Sequence, residues 1–150
     1  MTEGRSATPP KNLSSAVEDY LEQILHLINE KGYARVVDIA ARLNISQASV
    51  TNMIQRLDGE GLLKYEKYRG MVLTEVGERV ALSITERHLI LAEFLRLFQL
   101  PEELIQKDVE GMEHHISPPT LKAIAALTKE IKRQPYLLAV VKRASRGPDE

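Results

Sequence analysis

Ser46-Gln-Ala-Ser-Val50-Thr-Asn-Met-Ile-Gln55-Arg-Leu-Asp-Gly-Glu60-Gly-Leu-Leu-Lys-Tyr65-Glu-Lys-Tyr-Arg-Gly70-Met-Val-Leu-Thr74 is the stretch that decides the fold. Ser46 has the side chain of a helix N-cap. Val50, Met53, Ile54 and Leu57 follow at helical spacing and form a buried face. Gly59 and Gly61 stop the helix. Two short apolar runs come next, Leu62–Glu66 and Met71–Thr74, around the basic turn Lys67-Tyr-Arg-Gly70, and this pattern predicts a β-hairpin. Upstream, Ser15-Ala-Val-Glu18 reads as a capping box that opens a first helix with the apolar stripe Val17, Leu21, Ile24, Leu25 and Ile28. Gly32 closes it. A short helix over 36–43 and a tight Asn44-Ile45 turn lead into Ser46. Three helices, a tight turn before the third, and a hairpin directly after it make a winged helix-turn-helix.

Downstream the pattern is helical throughout. Thr74 caps a long helix reaching about Phe98, with a seam of Ile84, His88, Leu91, Leu95 and Phe98 at alternating spacings of four and three. Pro101, Ser117-Pro-Pro and Pro135 each open a further helix. The expected fold class is therefore mainly α. A winged helix-turn-helix over 13–74, with a small hairpin wing, precedes an all-helical domain over 75–144. Residues 1–12 read as a disordered tail and 145–150 as a frayed one. About seventy residues of Leu-, Ile- and Val-rich helix bury their apolar faces more readily by pairing with a second copy, so a homodimer is expected.

Composition narrows the function. The formal net charge of the 150-residue chain is -1, so any nucleic-acid surface has to be local. There is no cysteine, which removes disulfides and thiolate metal sites and fits a cytoplasmic location. Apolar runs are too short for a membrane span, and the polar start lacks the apolar segment of a signal peptide. With no Trp and few aromatics, a base-stacking single-strand binder is disfavoured.

The third helix carries polar groups on its outer side: Ser46 at its start, then Gln47, Ser49, Thr51, Asn52, Gln55 and Arg56. These are donor and acceptor types that read base edges and phosphates. Lys67 and Arg69 stand at the hairpin tip, where a wing meets the DNA backbone or minor groove. Residues 31–79 hold eight Lys or Arg against six acids, whereas 86–115 hold seven acids against three bases. The asymmetry suits a DNA end and a cation end.

The cation end centres on Glu110-Gly-Met-Glu113-His114-His115. Positions i, i+3 and i+4 place Glu110, Glu113 and His114 on one helix face. Alone, such a motif reads more readily as a solvated face than as a site. Two further features change its weight. Asp19 and Glu22 lie together on the first helix, opposite its apolar stripe, and His88 interrupts the apolar seam of the long helix. Four acids and two imidazoles on three helices can hold two divalent ions with bridging carboxylates. Without a cation the acids repel one another. Oxygen and imidazole donors without sulfur suit a hard or borderline divalent metal.

At this point the sequence resembles the manganese-transport repressors of the diphtheria-toxin-repressor superfamily of metal-dependent bacterial regulators. The likeness covers most of residues 16–133. It is densest in Glu18-Asp-Tyr-Leu-Glu-Gln-Ile24, Lys31-Gly-Tyr-Ala-Arg35, Tyr65-Glu-Lys-Tyr-Arg-Gly70, Arg87-His88 and Asp108-Val-Glu-Gly-Met-Glu-His-His115. The resemblance implies a homodimer that represses manganese-uptake genes by binding double-stranded operator DNA, with no membrane or small organic substrate as partner. It implies Asp19, Glu22, His88, Glu110, Glu113 and His114 as metal ligands, with Glu110 and Glu113 bridging. It implies Mn(II) as corepressor, two ions per subunit, with Fe(II), Co(II), Cd(II) or Zn(II) as substitutes. Iron-sensing relatives tend to carry Met at the position of Asp19 and Cys at that of Glu110, so two acids favour manganese. His26 and His115 match no usual ligand. The alternatives are an iron-responsive repressor of the same superfamily, a metal-free winged-helix interaction module, and a di-metal enzyme. Against the last stands the absence of a phosphate loop or nucleophile motif, and no enzymatic activity is expected.

Overall fold

Ser14, not Ser15, opens the first helix. Its Oγ accepts from the Val17 N–H at 3.4 Å and caps α1 (Ser15–Lys31). The expected capping box is therefore replaced by a simple serine N-cap one residue earlier, because Val17, not Glu18, stands three residues after Ser14. The computed structural model describes residues 13–66, 68 and 70–147. The expected N-terminal tail, Lys67, Arg69 and residues 148–150 lie outside the described residues. After α1 come α2 (Val36–Leu43), α3 (Gln47–Gly59), β1 (Leu63–Glu66), β2 (Gly70–Leu73), α4 (Glu75–Arg96), α5 (Glu102–Met112), α6 (Pro118–Arg133) and α7 (Pro135–Ala144). The chain divides into two compact units between Ile84 and Thr85, within α4.

In the first unit the helix ends are set by the expected residues. Gly32, at φ 82°, closes α1, and its N–H donates to the Ile28 carbonyl at 2.8 Å. Asn44 closes α2 at φ 53° in the left-handed region, which Asn tolerates better than most side chains. Ser46 Oγ accepts from the Ser49 N–H at 3.1 Å and opens α3. The hairpin pairs Leu63 with Leu73, Lys64 with Val72, Tyr65 with Met71 and Glu66 with Gly70. Ala34 adds a single bridge to Met71. Leu21, Ile24, Ile39, Leu57, Leu62 and Leu63 form the fully buried centre. The helix-turn-helix and the base of its wing thus share one core.

Thr74 locks the wing to α4. Its Oγ1 donates to the Gly61 carbonyl at 2.7 Å and accepts from the Gly77 N–H at 3.1 Å. Gly77 has to be glycine for packing rather than for its dihedral angles. A Cβ there would stand 1.9 Å from the Leu62 carbonyl oxygen.

In the second unit Leu91 and Ala92 of α4 pack against Ile105 and Val109 of α5, with Ile116, Leu121 and Ile124 beside them. Prolines occupy the first position of α6 and α7, where the missing N–H removes no helical bond. Leu89, Leu127 and Tyr136 remain exposed. Among the described residues no helix is long and apolar enough to cross a membrane.

Candidate metal centre and nucleic-acid face

The helical reading of the acidic motif needs one correction. α5 ends at Met112, Glu113 is its C-cap, and His114 and His115 lie in the following turn. Glu113 keeps helical angles (φ −61°, ψ −28°), so its i+3 relation to Glu110 survives. The environments of the two acids nevertheless differ. Glu110 is exposed, whereas Glu113 is 1 % exposed.

Both oxygens of the buried Glu113 carboxylate face imidazoles. His88 Nδ1 lies 2.8 Å from Oε2, and His114 Nε2 lies 3.6 Å from Oε1. Arg87 is nearby, but its Nη1 donates to the Glu113 backbone carbonyl at 3.2 Å. A buried carboxylate is expensive unless it is matched by positive charge. These contacts also fit a metal. Two ligands at about 2.1 Å from one ion, at a right angle, stand about 3.0 Å apart. The His88–Glu113 pair is therefore already near the edge length of a coordination shell. The donors are oxygen and nitrogen, as a hard or borderline ion requires.

The first unit supplies a second pair. Asp19 and Glu22 stand one turn apart on α1. Sequence periodicity put them on a polar face, but α1 is buried more broadly than its stripe, with Tyr20 and Leu27 inside as well. Glu22 is only 7 % exposed, and Asp19 and His26 are half-buried. Within the second unit the structure thus gathers His88, Glu113 and His114. Within the first it sets Asp19 beside Glu22. His115 is exposed.

On α3, Ser46, Gln47, Ser49, Thr51, Asn52, Gln55 and Arg56 are all exposed. Several are engaged locally. Ser46 Oγ serves as the cap and lies 2.9 Å from Ser49 Oγ. Thr51 Oγ1 donates back to the Gln47 carbonyl at 3.0 Å. Arg56 Nε pairs with Glu60 Oε1 at 2.8 Å. The amides of Gln47, Asn52 and Gln55 extend the same outer surface. Tyr65 and Tyr68 of the wing are also exposed.

Residues 12–71 match the family described as iron dependent repressor, N-terminal DNA binding domain. Residues 74–138 match the iron dependent repressor, metal binding and dimerisation domain. The chain belongs to the iron-dependent repressor family. It is 48 % identical over 123 residues to the HTH-type transcriptional regulator MntR of Lysinibacillus sphaericus (strain C3-41), covering 82 % of this chain and 88 % of that protein. It is 46 % identical over 136 residues to the regulator of the same name from Geobacillus kaustophilus (strain HTA426), covering 88 % and 96 %. Among solved structures it is similar to the manganese regulator SloR, with a TM-score of 0.69 and 25 % identity. That match covers 82 % of this chain, which spans only about half (55 %) of the SloR chain.

Around a candidate metal centre, the groups that hold the candidate ligands matter as much as those ligands. Sequence reasoning missed three of them. His88 Nε2 lies 2.7 Å from Gln106 Oε1. Gln106 Nε2 donates to Glu102 Oε1 at 2.7 Å. Arg96 grips Glu102 through Nε, at 3.0 Å from Oε2, and through Nη2 to Oε1. The Arg96 guanidinium first, and the Gln106 amide second, hold the Glu102 carboxyl down at about 2. The i, i+4 spacing of Glu102 and Gln106 was readable in the sequence, but it is common on any polar helix face. Only the packing of α5 on α4 gives it a direction.

Proposed function

We propose that this chain is a manganese-responsive transcriptional repressor that binds operator DNA as a homodimer in the cytoplasm. The observation that carries the reading is Glu113. It is a nearly inaccessible carboxylate with an imidazole on each oxygen, in a chain whose other unit is a winged helix-turn-helix with a polar, exposed third helix. Two regulators named MntR at nearly half identity support manganese as the effector.

The proposed ligands are Asp19, Glu22, His88, Glu110, Glu113 and His114, holding Mn(II), two ions per subunit. Fe(II), Co(II), Cd(II) and Zn(II) are the substitutes that such a donor set admits. The bound metal supplies positive charge that neutralises the acids and ties ligands of different helices together. The chain's own residues do the rest. Asp19 and Glu22 give the DNA-binding unit a handle on that charge. His88, Glu113 and His114 give the helical unit another. Holding both fixes where α3 stands, and two copies of α3 at a fixed separation can enter successive major grooves. Gln47, Asn52 and Gln55 are the proposed base readers. Ser46, Ser49, Thr51, Arg56, Lys67 and Arg69 are the proposed backbone contacts.

The test is mobility of promoter fragments from the source genome on a gel, with the metal-free protein and with added Mn(II), Fe(II), Co(II) or Zn(II). The account expects retardation to depend on metal and to vanish in Glu113→Ala. Retardation of equal strength without metal, or in that variant, contradicts it.

A further inference from the structure

We infer that Arg96, Glu102 and Gln106 form a positioning relay that fixes which nitrogen of His88 meets the metal: Nδ1 coordinates, while Nε2–H is held by Gln106. The inference rests on the metal-binding reading above and deepens it.

Each link is determined by what the groups can donate or accept. A guanidinium only donates, so Arg96 fixes the Glu102 carboxylate with two parallel bonds from the end of α4. An ionised carboxylate only accepts. Gln106, one turn along α5, must therefore offer Glu102 its NH2 group, as the 2.7 Å contact shows. The Gln106 carbonyl is then the atom turned toward His88 Nε2 at 2.7 Å, and a carbonyl only accepts. Nε2 has to carry a hydrogen. The other ring nitrogen, Nδ1, points at the Glu113 carboxylate. With the Nε2 hydrogen committed, Nδ1 is the nitrogen whose lone pair is available for an ion shared with Glu113.

The magnitudes argue for orientation over stability. The Arg96–Glu102 pair is about half exposed on both sides, and exposed pairs of this kind contribute little to stability. An outer partner that orients a metal-bound imidazole has a larger effect on binding, commonly ten- to a hundredfold. Gln106, itself no ligand, therefore sets metal affinity without setting the fold.

The test uses the full-length protein with isotope-labelled histidine, loaded with an NMR-active cadmium isotope, together with Mn(II) titrations of the wild type, Gln106→Leu and Glu102→Gln. Expected in the wild type are cadmium–nitrogen coupling on His88 Nδ1 and a slowly exchanging proton on Nε2. In Gln106→Leu the Nε2 proton should exchange freely with water and Mn(II) affinity should fall by about 10–100-fold. Glu102→Gln, whose side chain no longer dictates the Gln106 amide orientation, should show a smaller loss in the same direction. Coupling on Nε2, or wild-type affinity in both variants, overturns the relay. A wild type that takes up neither Mn(II) nor Cd(II) overturns the metal-binding reading itself, and the relay with it.

Discussion

Glu113 concentrates the chemistry of the molecule into one side chain. A carboxylate that is 1 % exposed is unusual unless something offsets its desolvation, and here each of its oxygens faces an imidazole with which it could share a cation. Replacing it by its isostere isolates the metal's part. Glu113→Gln should fold, with a melting temperature in chelator near that of the wild type. Saturating Mn(II) should raise the wild-type melting point, because an ion at a hundred times its Kd adds about 2.7 kcal/mol. The variant should show almost no rise in the same scanning experiment. Glu102 gives a pH signature. Its carboxyl is held at about 2, against an ordinary 4.5. Its contribution, small because the pair is solvent-exposed, is therefore full above 4.5 and is lost as pH falls toward 2. Acid titration of Glu102→Gln, followed by circular dichroism, should show a shallower loss of stability over that window. Gly77 sets two effects against each other. Alanine is about 1 kcal/mol better than glycine in a helix, but its Cβ would collide with a backbone oxygen. Overpacking of that kind costs about 1–3 kcal/mol. Gly77→Ala should destabilise in urea unfolding, and unchanged or increased stability would contradict the packing.

At the scale of elements, α3 has to be both a stable helix and an open surface. Its start depends on Ser46, so Ser46→Ala should lower stability by about 0.5–2 kcal/mol in urea unfolding. Arg56 is tied to Glu60, but both are exposed, and the pair is weak enough to open for a phosphate. The sequence was most legible where local chemistry terminates an element. Asn44 and Ser46 flank a turn too short for any other arrangement, and Gly32 and the three helix-opening prolines act through their own backbones. It was less legible where no breaker is present. Met112 is followed by no proline or glycine until Pro118, so periodicity carried α5 through His114, past its true end. The burial of Glu22 was equally hidden, because a stripe of i and i+4 residues shows which face is apolar but not how widely the helix is covered. Gln106 had no distinctive signature, because its i, i+4 spacing from Glu102 is common on any polar helix face. Its meaning arises only when α5 lies on α4.

For the molecule as a whole, the division of labour follows the charge distribution. The DNA-binding unit is mildly basic around α3 and the wing, and the helical unit is acidic around its candidate centre. Leu89, Leu127 and Tyr136, exposed on the helical unit, suit the dimerisation role that its family description names. The central claim is that metal at Glu113 and its neighbours decides whether the two copies of α3 can engage DNA together. The most direct measurement is the equilibrium affinity for a target promoter fragment as a function of free Mn(II), at two salt concentrations. The account predicts affinity that rises at least fivefold with metal, the lower end of a typical ~1–3 kcal/mol coupling, and that falls with salt as phosphate contacts release counterions. Affinity independent of Mn(II), in a protein that still binds DNA, would contradict it.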